Sequence, residues 1–355
     1  MKDPIYRTLQ QRLDTYSMGF PSTESGIEIN ILEKLFSIED ADLFLNLSPQ
    51  LETPDQVAAR MGKPIEETAQ KLGDMADRGL LFSLKKADAI RYGAIPFVHG
   101  LFEFQINKMD KELARIVRQY MDEEFKDAMS FSLSNFLRVI PVHKTIESRP
   151  RVAAYEDAMK VLEKANPIVI SDCACRKSAG LIDQACDKPV EVCFMLGSMG
   201  KYYLDHDMGR QIDLKEAGEI LSMAHDAGLV TQPATSQNPS GMCNCCGDCC
   251  GPLTSLKDHP KPAQMVFSNH FAQVDPDLCT SCGTCEQRCQ INAFLLDDTT
   301  LAKVDLDRCI GCGLCITTCP EDAIELIRKS DDQFQVPPET SFEQMMTMAQ
   351  KRGVI

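Results

Sequence analysis

The sequence predicts an α+β protein of three parts: a helical N-terminal domain that ends in a hairpin, a mostly helical middle domain, and a small cysteine-rich C-terminal domain. Three observations support this prediction. Apolar residues recur at helical spacing through the N-terminal half. All 17 cysteines follow residue 172, and one cysteine-rich segment is repeated 30 residues later. We place the domains at residues 1–100, 101–260 and 261–330, followed by a linker and a C-terminal helix within 331–355.

The composition limits the classes of function. The chain has 52 acidic and 37 basic residues, which gives a formal net charge of −15. Nucleic-acid affinity depends on neutralising phosphates with Lys and Arg, so this balance argues against a nucleic-acid partner. No apolar run reaches the roughly 18–20 residues of a membrane span, and the N-terminus lacks the apolar segment of a secretory signal. We therefore expect a cytoplasmic protein without a membrane span.

The N-terminal domain is predicted to be winged-helix-like. Helical apolar spacing covers residues 27–47, Thr53-Pro54 marks the start of another helix, and a further helix covers residues 65–78. Residues 80–97 then fit a wing hairpin with a turn near residues 85–88. Such a domain either binds DNA or serves as a small protein-contact domain.

The charges of the helix at 65–78 favour protein contact. This helix carries four acidic residues against Lys71 and Arg78, namely Glu66, Glu67, Asp74 and Asp77. An acidic surface repels phosphates. DNA binding, as part of a redox-sensing transcriptional regulator, is the less favoured alternative.

The middle domain has weaker signals. Helical patterns cover residues 109–125 and 213–227. A short buried strand is predicted at residues 167–170, and it runs directly into Cys173. The Pro-, Ser- and Asn-rich segment 232–241 is predicted to be a loop.

The repeated segment carries the clearest chemistry. Each copy reads V-D-x-D-x-C-x2-C-x2-C-x3-C, at residues 274–289 and 304–319. Three thiolates at this spacing wrap one [4Fe–4S] cube, and the fourth cysteine leads away to the other cube. Gly283, Gly311 and Gly313 would let the chain approach the clusters closely. A structural zinc site would instead use two cysteine pairs, so the pattern predicts two [4Fe–4S] clusters.

Residues 271–324 resemble the bacterial two-cluster ferredoxin family. The resemblance implies that cluster I is bound by Cys279, Cys282, Cys285 and Cys319, and that cluster II is bound by Cys309, Cys312, Cys315 and Cys289. The family has a proline after the last cysteine of a run. The second run keeps it as Pro320, whereas the first run has Gln290, which changes the backbone beside Cys289 without removing a ligand.

Nine further cysteines precede the repeat and are also candidate metal ligands. They are Cys173, Cys175, Cys186, Cys193, Cys243, Cys245, Cys246, Cys249 and Cys250. Five thiols within eight residues do not serve a hydrophobic core, and exposed free thiols are prone to oxidation. The C-x-C-R segment at 173–176 and the N-C-C segment at 244–246 are similar to those of ferredoxin-like proteins of anaerobes. From the crowded thiols we expect at least one further iron–sulfur cluster, built from the group at 173–193 and the group at 243–250 brought together.

The number of ligands leaves several arrangements open. Nine thiols suffice for one further [4Fe–4S] cluster with spare thiols, or for two clusters with one spare thiol. Sets of thiolates also bind zinc. Arg176 and Lys177 either offset the negative charge of a cluster or form a solvated surface pair.

No enzymatic motif accompanies these cysteines. The chain lacks a P-loop, a dinucleotide-binding fingerprint and an H-E-x-x-H motif. We therefore expect a non-catalytic electron-transfer protein or subunit, which relays single electrons between a low-potential donor, such as a ferredoxin or flavoprotein, and a partner oxidoreductase. Besides the redox-sensing regulator, the alternative is a reductase whose substrate binds at a non-ferredoxin cluster.

Overall fold

The structure is a computed structural model that describes residues 3–48, 50–87, 89–125, 136–146, 152–296 and 301–354. The described residues contain both helices and strands, so the protein is of the mixed class. Within the described ranges, no helix combines the length and the apolar character that crossing a bilayer requires.

Five helices and a hairpin form the N-terminal part. The helices are Pro4–Asp14, Ile27–Leu35, Ile38–Leu45, Pro54–Met61 and Ile65–Asp77. Strands β1 (Phe82–Lys86) and β2 (Ala89–Gly93) pair antiparallel, with Lys86 opposite Ala89. The predicted hairpin is therefore present, although Asp88 in its predicted turn lies outside the described residues.

A buried carboxylate joins the third helix to the fifth. The Asp40 side chain is fully buried; Lys71 Nζ lies 2.7 Å from it, and the Arg78 guanidinium also contacts it. Burial opposes ionisation of Asp40, but the hydrogen bonds from Lys71 and the Ser37 N–H, together with the charge of Arg78, lower its pKa overall. Lys71 in the fifth helix and Arg78 at its C-cap thus both form ion pairs with a carboxylate of the same domain.

The next segment packs on these helices. It consists of a π-type turn at Phe97–Leu101, a 3-10 turn at Glu103–Gln105, the helix Lys111–Tyr120 and a second π-type turn at Met121–Phe125. The ring of Phe20 lies 4.5 Å from the ring of Phe97 and 4.8 Å from that of Tyr120, between centroids. Residues beyond the predicted boundary at 100 therefore share the N-terminal core.

A five-stranded antiparallel sheet forms the centre of the middle part, in the order β5-β3-β4-β7-β6. Its strands are β3 (Ile168–Asp172), β4 (Glu191–Leu196), β5 (Arg210–Ile212), β6 (Val230–Pro233) and β7 (Gly241–Cys245). Helical segments precede and connect them, namely His143–Ile146, the 3-10 turn Ala154–Glu156, Ala158–Glu163, Ala174–Leu181, Gly197–Asp205 and Leu214–Asp226. The predicted strand at 167–170 corresponds to the start of β3.

The middle part is less helical than the sequence predicts. Segment 232–241 is not a simple loop, because its ends belong to β6 and β7, which pair with Thr231 opposite Asn244. The Thr231 hydroxyl donates to Asn244 Oδ1 at 2.9 Å, and the Asn244 amide donates to Val192 O at 2.9 Å. Asparagine is depleted in strands, so Asn244 gives a weak strand signal in the sequence, and its partners in the folded sheet satisfy its polar groups.

The C-terminal part has a crossed arrangement of its two repeats. Strand β8 (His270–Val274) precedes the first cysteine run and pairs with β11 (Ile324–Arg328), which follows the second. Conversely, β9 (Phe294–Leu295) follows the first run and pairs with β10 (Lys303–Val304), which precedes the second. The remaining elements are the helices Gly251–Asp258, Pro262–Met265 and Thr284–Arg288, and the 3-10 turn Ile316–Thr318.

The C-terminal helix, Ser341–Lys351, packs on its own chain. The Gln344 amide donates to Phe136 O at 2.8 Å, and Arg352, just after the helix, forms an ion pair with Asp14 at 3.0 Å. The chain thus closes on its first helix.

One tyrosine ties the central sheet to the N-terminal part. Tyr202 is fully buried, and its hydroxyl lies 3.1 Å from Leu81 O and 3.2 Å from Ala76 O. Its ring stacks between those of Phe82 and Phe104, at centroid distances of 5.0 and 4.3 Å. The side chain therefore fixes the helix that follows β4 against the hairpin.

We predict that Tyr202→Phe destabilises the protein by about 1 kcal/mol, because it leaves buried carbonyl groups without this donor. A lower unfolding temperature of the anaerobically purified protein, at a fixed scan rate, would show the effect. Tyr155→Phe is the matched control, since no hydrogen bond of the Tyr155 hydroxyl is seen within the described residues. Equal unfolding temperatures for the two variants would contradict the role of Tyr202.

Candidate metal centres

Four of the predicted cluster ligands line one cavity at the surface of the C-terminal part. They are Cys279, Cys282, Cys285 and Cys319, which we call the outer thiol set. Cys282 is exposed, whereas Cys285 is buried. The short helix Thr284–Arg288 carries Cys285, and Cys319 ends the 3-10 turn of the second repeat. The crossed pairing of strands thus brings a cysteine of one repeat to the other repeat.

The other four predicted ligands form a more buried group. They are Cys289, Cys309, Cys312 and Cys315, which we call the inner thiol set. Burial, followed by the charge of Cys289, raises the pKa of Cys312 to about 12. The charge of Cys289 also acts on Cys309 and Cys315, so this cysteine lies near the second run. Thiols in such a site ionise readily only when a cation takes the place of their protons.

Backbone N–H groups point at thiols of both sets. Ala293 N–H donates to Cys289 Sγ at 3.2 Å, and Ala323 N–H, its counterpart in the second repeat, donates to Cys319 Sγ at 3.3 Å. Ala272 N–H donates to Cys309 Sγ at 3.3 Å. Donors of this kind stabilise thiolates that bind a cluster, so the residues fit two thiolate-bound clusters.

Gly311 shows why the cysteine loop needs glycine. Its φ is +66°, and a Cβ atom there would lie 2.1 Å from His270 O. Any other residue would push strand β8 away from the second run. Gly283 differs, because its φ of +79° requires glycine but its Cβ position meets open space.

Six of the nine remaining cysteines form a closed ring of neighbouring thiols. Each interacts with two others, in the order Cys173, Cys175, Cys250, Cys245, Cys243, Cys193 and back to Cys173. We call them the ring thiols. Three lie in the strands β4 and β7, and the other three lie at the starts of the helices Ala174–Leu181 and Gly251–Asp258. The sheet that the sequence did not reveal therefore assembles this group.

The three others form a separate group, which we call the thiol triad. The Sγ atoms of Cys186, Cys246 and Cys249 all lie within 4.8 Å of one another. The distance between the Sγ atoms of Cys186 and Cys246 is 3.7 Å. The nine candidates are therefore divided into six and three.

A buried arginine lies between these two groups. Arg176 is 2% exposed, and its guanidinium donates to Pro189 O at 2.9 Å and Asn244 O at 2.8 Å. The charges of Cys173 and Cys246, one from each group, raise its pKa despite its burial. Its Nε atom is buried and has no hydrogen-bond acceptor in the described part of the chain. A cluster bound by the neighbouring thiols would supply such an acceptor.

The two cations next to the first cysteine pair thus differ. The interpretation of Arg176 as a solvated surface residue is wrong, because the helix Ala174–Leu181 turns it into the interior. Lys177 does lie in a surface pair: its Nζ is 3.1 Å from Asp172 and 3.3 Å from Asn107 Oδ1.

Sequence reasoning missed a group of ionisable residues beside the ring thiols. A cavity is lined by His99, Glu103, Tyr203 and Cys243, among others. Burial lowers the pKa of His99 to about 4. Burial, with a smaller contribution from the charge of Cys173, raises the pKa of Glu103 to about 7. No spacing in the sequence links residues 99–103 to the cysteines, since the fold alone brings them together.

The comparisons with known proteins concern the C-terminal part. Residues 272–326 match the family described as the 4Fe-4S dicluster domain. This segment is a ferredoxin-like 4Fe-4S module. The match covers the outer and inner thiol sets and ends before the C-terminal helix. Neither a curated protein nor a solved structure matched the chain.

We predict that Glu103→Gln stabilises the protein above pH 7. The pKa of this carboxyl rises from 4.5 to about 7 on folding, so the folded state binds its proton more tightly. The resulting stabilisation is complete below pH 4.5 and is lost as the pH rises to 7. At pH 8 the neutral amide avoids this penalty, which is at most about 3 kcal/mol.

Unfolding temperatures between pH 5 and pH 8.5 test this prediction. The variant should unfold at a higher temperature than the wild type at high pH, and the difference should shrink towards pH 5. The exposed Glu24 provides the control Glu24→Gln, for which we expect no such trend. A pH-independent difference for Glu103→Gln would contradict the assignment.

Proposed function

We propose that this protein relays single electrons through a series of iron–sulfur clusters between a low-potential donor protein and a partner oxidoreductase. The observation that carries the proposal is the placement of the thiols at increasing depth. The outer set includes the exposed Cys282, the inner set is more buried, and nine further thiols lie beyond it. In this proposal the outer and inner sets each hold one [4Fe–4S] cluster, which supplies the one-electron chemistry.

Packing supports a continuous path from the module to the ring thiols. Cys245 and Cys250 of the ring belong to the same apolar core as Cys285, Cys309 and Cys315 of the module. The Val142 N–H also donates to Cys312 O at 2.9 Å. The two regions thus share one buried apolar core, which favours electron transfer between them.

Gln290 supplies a direct link from the inner set to the five-cysteine segment 243–250, which carries three of the ring thiols. Its Oε1 atom accepts a hydrogen bond from Gly247 N–H at 2.9 Å. A Cβ atom on Gly247 would lie 2.5 Å from Gln290 O, so these two segments of the backbone are in close contact. Gln290 follows Cys289 of the inner set, and Gly247 lies between the ring thiols Cys245 and Cys250, so this bond joins the inner set to a segment that carries ring thiols. A proline at 290 could not make it.

The surroundings of the outer set suggest the charge of the partner. Glu321 lines the cavity of this set, and its charge acts on Cys282. Asp277 and Glu286 are exposed nearby in the chain. We infer that the redox partner presents a basic surface to this acidic rim.

We also propose that the N-terminal part is a winged-helix-like domain that contacts protein rather than DNA. The acidic residues of the helix Ile65–Asp77 are exposed, whereas Lys71 and Arg78 are engaged by the buried Asp40. Its exposed surface would therefore repel a phosphate backbone.

We predict that Cys282→Ser disables electron entry. The serine oxygen is a poor substitute for the thiolate, so the variant should lose up to about four irons per chain. Electron uptake from a reduced ferredoxin should fall several-fold, while the EPR signal of the inner cluster remains. Thr280→Ser in the same loop should change neither quantity. Unchanged iron content and uptake in Cys282→Ser would argue against the relay.

We further predict that Gln290→Ala slows transfer beyond the inner cluster. Flash reduction followed by freeze-quench EPR should show the inner cluster of this variant staying reduced for longer than in the wild type. The exposed Gln287 lies on the neighbouring turn and makes no side-chain hydrogen bond in the described structure, so Gln287→Ala is the control. Equal lifetimes in all three proteins would exclude Gln290 from the path.

A further inference from the structure

The thiol triad differs from every other group of cysteines in the described structure. It is the one group of three or more potential ligands whose donor atoms all lie within 4.8 Å of one another, in the ranges that the structure describes. Neither the outer nor the inner set is as compact, although both belong to the 4Fe-4S module. The triad therefore has a different geometry from thiols arranged around a cube.

The sulfur–sulfur distance matches a single metal ion. A tetrahedral ion with sulfur ligands at about 2.3 Å holds two of these sulfurs about 3.8 Å apart. The Sγ atoms of Cys186 and Cys246 are 3.7 Å apart. Thiolates of a cube must stand farther apart, because each binds a different iron and points away from the centre of the cube.

The local sequence also fits such a site. Cys246 and Cys249 form a C-x2-C pair, the spacing that supplies two ligands in many zinc sites. Cys186 comes from the loop between the helix Ala174–Leu181 and β4. An ion pair of 3.0 Å between Lys188 and Asp248 holds this loop against the C-x2-C turn. The three thiols are therefore placed by contacts other than those with a metal.

The electrostatic surroundings suit a negatively charged metal–thiolate group. Three thiolates and one divalent cation carry a net charge of −1. Arg176 and Lys188 both interact with the charge of Cys246 and offset that charge. Cys249 borders a cavity that Gly251 and Thr254 also line, so a small fourth ligand has room next to it.

We propose that Cys186, Cys246 and Cys249 bind one zinc ion, with a water molecule as the fourth ligand. Soft thiolates select zinc among the available divalent ions, and three protein ligands leave one position open. This site goes beyond the electron relay, because zinc has no redox chemistry in proteins. It leaves the six ring thiols as the ligands of any additional iron–sulfur cluster.

Metal analysis and zinc-edge X-ray absorption of the full-length protein, purified without oxygen and washed with EDTA, test the proposal. We expect about one zinc per chain, with about three sulfur neighbours near 2.3 Å and one oxygen or nitrogen neighbour near 2.0 Å. A zinc content near zero, or fewer than three sulfur neighbours, would overturn the site. Four sulfur neighbours would overturn the open position.

Two variants separate the triad from the iron centres. Cys186→Ser should lose the zinc and keep its iron, whereas Cys175→Ser, a change in the ring thiols, should lose iron and keep the zinc. Loss of iron with retained zinc in Cys186→Ser would assign the triad to a cluster and overturn the proposal. The absorption measurement on the wild type decides the question if a variant does not fold. Because it detects zinc alone, its result is independent of whether the relay proposal holds.

Discussion

Neighbouring thiols in a protein interior cannot all ionise unless a cation lies among them, since each thiolate raises the pKa of the next. This constraint governs the part of the structure that follows residue 172, where all 17 cysteines lie. The six ring thiols are arranged so that each has two thiol neighbours, and burial raises the pKa of Cys249 in the triad to about 12. A bound metal replaces the protons and removes the repulsion, so metal binding and folding are coupled in this part of the chain. Arg176 and the N–H groups aimed at Cys289, Cys309 and Cys319 stabilise the negative charge that remains.

The spacing of the cysteines along the chain explains which of these thiol groups the sequence could predict. The module was predictable because three ligands of each run lie within seven residues, so local spacing alone defines the chemistry. The ring thiols were not, because their neighbours come from distant positions: Cys175 meets Cys250, and Cys193 meets Cys243. Their assembly depends on the five-stranded sheet, whose short strands β6 and β7 contain Pro233, Thr231 and Asn244. Proline and asparagine are depleted in strands, so Pro233 and Asn244 make these segments resemble a loop in the sequence.

Two residues near the cysteines differ in how much the sequence indicates about them. Gln290 stood out as a departure from the family's proline, and the structure gives that departure a contact with Gly247. A proline at position 290 would not remove a cluster ligand. It has no side-chain acceptor, however, that could bond to Gly247 in the five-cysteine segment. Glu103 had no such signal, because it lies 70 residues before Cys173 and only the packing of the 3-10 turn Glu103–Gln105 brings it near the ring thiols. Local rules cannot reveal contacts of this kind.

The thiol groups differ in burial, and this difference decides which of them a partner protein can approach. The outer set opens to solvent through Cys282, whereas the ring thiols lie under the N-terminal part, where Tyr203 and Phe104 pack beside them. A partner can therefore approach the outer set closely but meets protein before it reaches the ring. Desolvation also disfavours added negative charge, so a buried cluster is harder to reduce unless a nearby cation or a proton compensates it. Arg176 carries a positive charge beside the ring thiols, and Glu103 has a pKa raised to about 7 by burial. A cluster bound by the ring thiols would therefore have a cation and a proton acceptor beside it to balance an added electron.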